Sequence, residues 1–185
     1  MLPPEHRAPR AAILAGGLAV RMGGRQKALL EVGGRAILDR QLDALAPIFP
    51  PGSIAAVLAA AADDAEAAPF AGRGLVVLRD REAGQGPLAG LAAALAWADG
   101  ALLFALACDM PSVETRAVEL VVARARASGA DVALPVAGGR AQPLFACYSA
   151  RAAGLVVTVI DEAELAAVDP DLRSIVNVNS PSDAP

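Results

Sequence analysis

The sequence predicts an α/β fold in which a mostly parallel central sheet is covered by helices on both faces. Short apolar runs alternate with segments of helical periodicity along the 185 residues. The strand-like runs are continuously apolar, which is typical of strands buried on both sides. Glycine or aspartate follows several of these runs, and parallel sheets bind ligands beyond the carboxyl ends of their strands. These three observations predict both the architecture and the edge that carries the site.

Each predicted strand is a short run rich in alanine, valine, leucine or isoleucine. The predicted strands comprise residues 11–14, 54–59, 74–78, 102–106, 132–136 and 144–148, with a short closing strand near 174–178. The pair 132–136 and 144–148 surrounds a turn at Gly138-Gly139.

Three helices are predicted between these strands. The first covers residues 37–46 and ends at Pro47, because proline cannot continue a helix. The second covers residues 87–98 and begins with proline at a first-turn position. Its predicted apolar face comprises Leu88, Leu91, Ala92 and Leu95. The third, residues 114–127, ends at Gly129, a C-cap signal. The alanine-rich residues 59–68 are expected to form a solvated helix or loop.

Composition and charge exclude several classes of protein. The net charge of −4 argues against a surface for nucleic acid or anionic membrane. No apolar run is long enough to span a membrane, and no secretory signal opens the chain. Cys108 and Cys147 are expected to be buried free thiols, which indicates the cytoplasm. We expect residues 1–10 to be a flexible leader and residues 11–185 to form a single domain.

A glycine-rich loop after the first strand is the strongest functional signal. It contains Gly16, Gly17, Gly23 and Gly24, together with the cations Arg21 and Lys27. Glycine lets backbone N–H groups approach phosphate oxygens, and the two cations would neutralise them. Neither the P-loop spacing nor the dinucleotide fingerprint fits these glycines. The alternative is an ordinary glycine-rich turn between a strand and a helix.

Two aspartates follow other strands at the same predicted edge. Asp109, in Cys108-Asp109-Met110-Pro111, suits Mg²⁺, which takes one or two carboxylates and completes its shell with phosphate and water. Its alternative role is to cap the helix near Glu114. Asp80 precedes a loop whose Gly86 would let backbone approach a ligand, the alternative being a plain surface loop.

These groups together fit phosphoryl-type chemistry at a nucleotide. A phosphorylated acceptor would attack the α-phosphorus in line, and positioning with charge neutralisation would supply the catalysis. Such an acceptor is already ionised at neutral pH. No general base is needed, which agrees with the chain's one histidine lying in the leader, at His6.

The motifs resemble those of the MobA-type molybdenum cofactor guanylyltransferases, within the MobA-like NTP transferase superfamily. The resemblance runs from about Ala11 to Asp183. It rests on Leu14-Ala15-Gly16-Gly17, Arg21-Met22-Gly23-Gly24, Lys27, Gly86-Pro87-Leu88-Ala89-Gly90, Cys108-Asp109-Met110-Pro111 and Asn177-Val178-Asn179-Ser180-Pro181. Cytidylyltransferase relatives usually carry Ala-Ala-Gly in the loop and Asp-Gln-Pro at the metal strand, so this chain favours guanine.

The resemblance implies a three-layer α/β/α, Rossmann-like nucleotidyltransferase fold. It implies transfer of GMP from Mg²⁺-GTP to the molybdopterin-bound molybdenum cofactor with release of pyrophosphate, and molybdoenzyme clients or chaperones as further partners. The implied catalytic residues are Arg21, Lys27 and Asp109, with Asp109 also the metal ligand. The implied nucleotide-binding residues are Leu14, Ala15, Gly16, Gly17, Gly24, Lys27, Asp80, Gly86, Pro87 and Asp109.

Two segments depart from the family's usual pattern. Residues 58–61 lack the asparagine that often follows the second strand, and residues 149–176 hold only Arg151 and Arg173 as basic residues. Two alternatives therefore stay open: a transferase that uses CTP or another phosphorylated acceptor, and a non-catalytic nucleotide-binding module.

Overall fold

The computed structural model describes residues 7–16, 26–80, 87–149 and 156–177. Four predicted site residues lie outside these ranges: Gly17, Arg21, Gly24 and Gly86. The first strand begins at Arg10, one residue earlier than predicted. The expectations of a leader over 1–10 and of a single domain over 11–185 stay predictions.

A mostly parallel sheet forms the centre of the fold, as predicted. The strands are β1 (Arg10–Leu14), β2 (Glu31–Val32), β3 (Arg35–Ala36), β4 (Ile54–Leu58), β5 (Val76–Arg79), β6 (Leu103–Ala107), β7 (Val132–Ala137), β8 (Arg140–Ala141), β9 (Phe145–Tyr148) and β10 (Val157–Ile160). The main sheet has the order β10-β7-β9-β6-β1-β4-β5, with β8 paired to β7. Strand β9 runs antiparallel to β6 and β7, whereas β1 is parallel to both β4 and β6.

Helices cover the two faces of the sheet unequally. They are α1 (Ile37–Leu45), α2 (Asp64–Ala71), α3 (Pro87–Ala98), α4 (Thr115–Ser128) and α5 (Glu162–Ala166). The larger core holds buried side chains of α1, α2, α4 and α5, including Leu38, Phe70, Val121 and Leu165. The smaller core, on the other face, holds Ala94 and Ala98 of α3. The fold is therefore a three-layer α/β/α sandwich with one face more heavily covered.

Helix α3 has the predicted bounds but presents a different face to the sheet. Gly90, Ala94 and Ala98 are buried, whereas Leu88 is 72% exposed. A Cβ on Gly90 would lie 3.6 Å from side-chain atoms of both Leu14 and Val57. Small residues at this spacing let the helix pack closely on β1 and β4. Of the predicted face, Leu91 and Leu95 pack against the smaller core as expected, whereas the placement of Leu88 and Ala92 on it is wrong because both are exposed.

Residues 174–177 do not form the predicted strand. A 3-10 turn covers Arg173–Ile175 instead, because the buried Asp169 carboxylate accepts hydrogen bonds from the backbone N–H groups of Arg173 (3.1 Å) and Ser174 (2.8 Å). The Ser174 hydroxyl accepts a hydrogen bond from Glu114 N at 2.9 Å. Tertiary contacts therefore bend this segment.

The β2–β3 hairpin, strands β8 and β10, and helix α5 were not predicted. Strand β10 consists of β-branched residues. The β2–β3 hairpin turns at Gly33 and Gly34, both of which have positive φ. Helix α2 overlaps residues 59–68, which were expected to form a solvated helix or loop, and it begins at a capping box formed by Asp63 and Glu66. Among the helices that the structure describes, none is long and apolar enough to cross a membrane.

Candidate functional site

Four parallel strands end together at one edge of the sheet. In the strand register, Leu14 of β1 lies opposite Ala107 of β6 and Val57 of β4. On the far side of β4, Leu58 lies opposite Arg79 of β5. The residues that follow β1, β5 and β6 are therefore brought to the same edge, as the sequence predicts for the glycine loop, Asp80 and Asp109.

Lys27 and Asp109 form an ion pair at this edge. The Lys27 Nζ lies 3.2 Å from the Asp109 Oδ2, and the two side chains are 30% and 17% exposed. Lys27 opens a 3-10 turn, and Asp109 lies in the turn after β6. Helix α4 takes Glu114 as its N-cap residue, which excludes the capping role for Asp109. The carboxylate is thus held near solvent beside a cation, as a phosphate-metal site requires.

Asp80 supplies a second carboxylate, directly after β5. Its backbone N–H donates to Leu58 O at 3.0 Å, which fixes the residue beside the end of β4. Its Oδ1 is buried and has no hydrogen-bond partner within the described residues. Asp80 and Asp109 are three strand spacings apart, or about 14 Å. They cannot ligate one Mg²⁺, whose ligands lie about 2.1 Å away.

The backbone after β1 passes very close to the end of β4. Ala15 N donates to Val57 O at 2.8 Å, and Cys108 N donates to Leu14 O at 3.3 Å. The Leu14 carbonyl and the Ala15 N–H are therefore already hydrogen-bonded to neighbouring strands or their ends. Gly16 lies so close that a Cβ on it would be 3.1 Å from Ala59 N and 3.2 Å from Leu58 C. Only glycine fits here without movement of backbone.

Replacing Gly16 with alanine should displace the loop after β1 and raise the KM for the nucleotide. The added methyl meets backbone atoms, which cannot move aside as a side chain does. We expect Gly16→Ala to lower the free energy of unfolding by about 1–3 kcal/mol. Thermal denaturation and nucleotide titration would measure the two effects.

Gly90→Ala is the matched control. Its Cβ would make ordinary 3.6 Å contacts, in the interior of helix α3. Because alanine lowers the conformational entropy of the unfolded chain, this variant should be more stable by about 0.4–1 kcal/mol. Its KM should be unchanged. If both alanine variants behaved alike, the close approach of Gly16 to β4 would have no role in nucleotide binding.

An open groove of about 570 Å³ lies between residues 26–31, which include the 3-10 turn, and helix α2. Its charged lining residues in the described part of the chain are all acidic, namely Glu31, Asp63 and Glu66. A triphosphate would be repelled there. Among the described residues, the Lys27 side of the edge therefore suits a phosphate better than this groove does.

The thiol next to Asp109 takes no part in the chemistry of the edge. Burial, together with the negative charge of Asp109, raises the pKa of Cys108 to about 12. Burial also raises the pKa of Cys147. Both thiols are free, as predicted, and stay protonated at neutral pH. Nucleophilic thiol catalysis is thus excluded for both.

The described residues contain no group of three or more histidine, cysteine, aspartate or glutamate side chains able to hold a metal. Within the part of the chain that the structure describes, Asp109 offers a partly exposed carboxylate beside the Lys27 cation. This donor set fits Mg²⁺, which uses few protein ligands and completes its shell with phosphate oxygens and water.

One buried polar residue near Asp109 was not among the predicted site residues. Gln41 of α1 is fully buried and reaches the turn that carries Asp109. An amide among the apolar residues of an amphipathic helix is a weak signal, because sequence alone does not show that its position faces the core.

Comparison with known proteins agrees with this geometry. Residues 11–177 match the family model of the MobA-like NTP transferase domain. The molybdenum cofactor guanylyltransferase of Rhodopseudomonas palustris (strain BisB5) is 35% identical over 80% of this chain and 70% of that protein. That of Acidiphilium cryptum (strain JF-5) is 37% identical over 87% of this chain and 77% of that protein.

Among solved structures, the molybdopterin-guanine dinucleotide biosynthesis protein A of Archaeoglobus fulgidus superposes with a TM-score of 0.73 at 24% identity. The superposition covers 95% of this chain and 94% of that one. At this identity the likeness concerns the fold.

Proposed function

The chain belongs to the MobA-like NTP transferase family, and from this premise we propose that it is a molybdenum cofactor guanylyltransferase. It would transfer GMP from Mg²⁺-GTP to the molybdopterin-bound molybdenum cofactor and release pyrophosphate. The observation that carries the proposal is the Lys27–Asp109 pair, 3.2 Å apart at the carboxyl edge of a parallel sheet. The names of the relatives support guanine as the base and the molybdenum cofactor as the acceptor.

Different residues at the edge would bind different parts of the nucleotide. Asp109 would hold Mg²⁺, which when bound neutralises phosphate charge and aligns the α-phosphorus with the acceptor. Lys27 would leave the Asp109 carboxylate and pair with phosphate oxygens, joined by Arg21. Asp80, whose buried Oδ1 has no hydrogen-bond partner among the described residues, would accept a hydrogen bond from the sugar or base.

Backbone groups would complete the nucleotide site. Because Leu14 C=O and Ala15 N–H are used within the sheet, Ala15 C=O and Gly16 N–H are the neighbouring groups that would contact a ligand. Gly17, Gly24, Gly86 and Pro87 would extend this lining. The acceptor phosphate is ionised at neutral pH, so in-line attack needs no general base from the chain. The buried free thiols fit the reducing cytoplasm in which we place the enzyme.

Nucleotide selectivity is tested by thermal shift in the presence of Mg²⁺. A ligand at 100 times its dissociation constant stabilises the folded state by about 2.7 kcal/mol, or roughly 5–10 °C for a chain of this size. We expect GTP to give this shift and ATP, CTP and UTP to give much less. A shift with CTP alone would indicate the cytidylyltransferase alternative.

The acceptor is tested by incubating the protein with GTP, Mg²⁺ and molybdopterin-bound cofactor and recording product masses. We expect a guanine dinucleotide and one pyrophosphate per turnover. Nucleotide binding without any new dinucleotide would overturn the acceptor assignment and favour a different phosphorylated acceptor or a non-catalytic binding module.

A further inference from the structure

Gln41 is a fully buried polar side chain on an apolar helix face. Its neighbours on that face of α1, Ile37, Leu38, Ala44 and Leu45, are all buried. The side chain extends from α1 to the turn that follows β6. An amide at such a position needs partners, because burying it unpaired costs free energy.

The amide clamps the turn that carries Asp109. Gln41 Nε2 donates to Ala107 O at 2.8 Å and to Met110 O at 3.0 Å. These two carbonyls bracket Cys108-Asp109, so one NH₂ group closes the turn from both ends. Since carbonyl oxygens only accept hydrogen bonds, the NH₂ must face them, and the orientation of the amide is settled by its partners.

These two hydrogen bonds carry a cost in folding free energy, so a gain in stability does not explain why Gln41 is buried here. With the NH₂ used in this way, Gln41 Oε1 is buried and has no hydrogen-bond partner in the described part of the chain. A buried unpaired acceptor is destabilising, and groups of this kind call for an explanation. Local rules of packing are broken mainly at functional sites.

The other anchors of the turn act on its backbone from the sheet side. Ala107 N donates to Leu144 O at 2.8 Å, and Cys108 N donates to Leu14 O at a longer 3.3 Å. Neither reaches the carbonyl of Met110, on the far side of Asp109. Within the described residues, Gln41 is the side chain that links the Met110 carbonyl, after Asp109, to the Ala107 carbonyl before it.

We propose that Gln41 is the positioning residue of the metal site: its two hydrogen bonds fix the turn so that the Asp109 carboxylate points towards the nucleotide phosphates. This inference rests on the proposed function, in which Asp109 holds Mg²⁺. Gln41 itself touches neither metal nor nucleotide. Its loss leaves the carboxylate present but no longer held in one direction, which weakens metal binding.

The test measures Mn²⁺ binding by electron paramagnetic resonance of the free ion, with the α,β-methylene analogue of GTP present. Mn²⁺ replaces Mg²⁺ as the probe, and the analogue prevents turnover. We expect Gln41→Met, which keeps the size but removes both donors, to weaken Mn²⁺ binding by about 10- to 100-fold. Affinity for the analogue without metal should stay at the wild-type value.

Three further variants separate the possible outcomes. Gln41→Asn keeps an amide too short to reach both carbonyls, and it should also weaken Mn²⁺ binding if Gln41→Met does not fold. Asp131→Asn removes a buried carboxylate at the opposite edge of the sheet, where it accepts from Ser149 Oγ (3.1 Å) and Val156 N (3.0 Å). It controls for loss of stability and should bind Mn²⁺ normally. Asp109→Asn should lose Mn²⁺ binding.

Wild-type Mn²⁺ affinity in either folded Gln41 variant would overturn the positioning role. Equal weakening in Asp131→Asn would overturn it too, because the effect would then follow stability. Wild-type Mn²⁺ affinity in Asp109→Asn would instead contradict the proposed function. The two failures are therefore distinguishable.

Discussion

Asp109→Asn is expected to lower the rate of GTP-dependent pyrophosphate release by about 10³-fold while the protein stays folded. Asparagine has nearly the same shape as aspartate but lacks the charge that a divalent cation requires. The side chain is partly exposed, and within the described residues its ion-pair partner is Lys27. We therefore expect the free energy of unfolding to change by no more than about 1 kcal/mol. A coupled pyrophosphate assay and a denaturant titration measure the two quantities.

Asp43→Asn provides the matched control for this change. Asp43 is an exposed carboxylate on α1 that pairs with Arg35 at 2.7 Å, so its replacement also breaks one aspartate ion pair. We expect wild-type turnover from it. Full turnover by Asp109→Asn would remove this residue from the mechanism, whichever nucleotide the enzyme uses.

Lys27→Met should lower kcat/KM for GTP by about 10²- to 10³-fold, because the triphosphate loses a cation placed at its binding edge. The same variant should bind Mn²⁺ more tightly than the wild-type protein when no nucleotide is present. The ammonium group lies 3.2 Å from the oxygen that would ligate the metal. Removing it leaves that oxygen available to the ion. Steady-state kinetics and a Mn²⁺ titration measure these opposite changes.

Arg35→Met is the control for loss of a cation, since Arg35 pairs with Asp43 in an exposed position away from the sheet edge. It should leave both kcat/KM and Mn²⁺ affinity unchanged. Weaker Mn²⁺ binding by Lys27→Met without nucleotide would contradict the idea that lysine and metal compete for Asp109.

The general architecture follows from local patterns that need no tertiary information. The runs at 11–14, 54–59 and 102–106 are apolar throughout. Each observed strand there begins within one residue of the predicted first residue. The C-cap at Gly129 is confirmed by its left-handed conformation, with φ of 61°. Hydrophobic periodicity and turn residues act over a few neighbours, so they are visible in the sequence.

Other features depend on contacts between distant segments. Helix α3 turns Gly90 rather than Leu88 to the sheet because Leu14 and Val57 leave room only for small residues. The turn at Arg173–Ile175 is fixed against helix α4 because Glu114 N, 60 positions away along the chain, donates a hydrogen bond to the Ser174 hydroxyl. The sequence of each segment does not show which distant atoms that segment contacts.

The candidate site shows the same division. By itself, the sequence determined that Gly16, Asp80 and Asp109 follow strands, and a parallel sheet brings such positions to one edge for reasons of topology alone. Only the tertiary structure decided that Lys27 pairs with Asp109, that Gly16 touches the backbone of Ala59, and that Gln41 reaches over from α1 to close the turn around Asp109. These contacts join residues 43 to 82 positions apart along the chain, at distances that packing of the helices on the sheet sets.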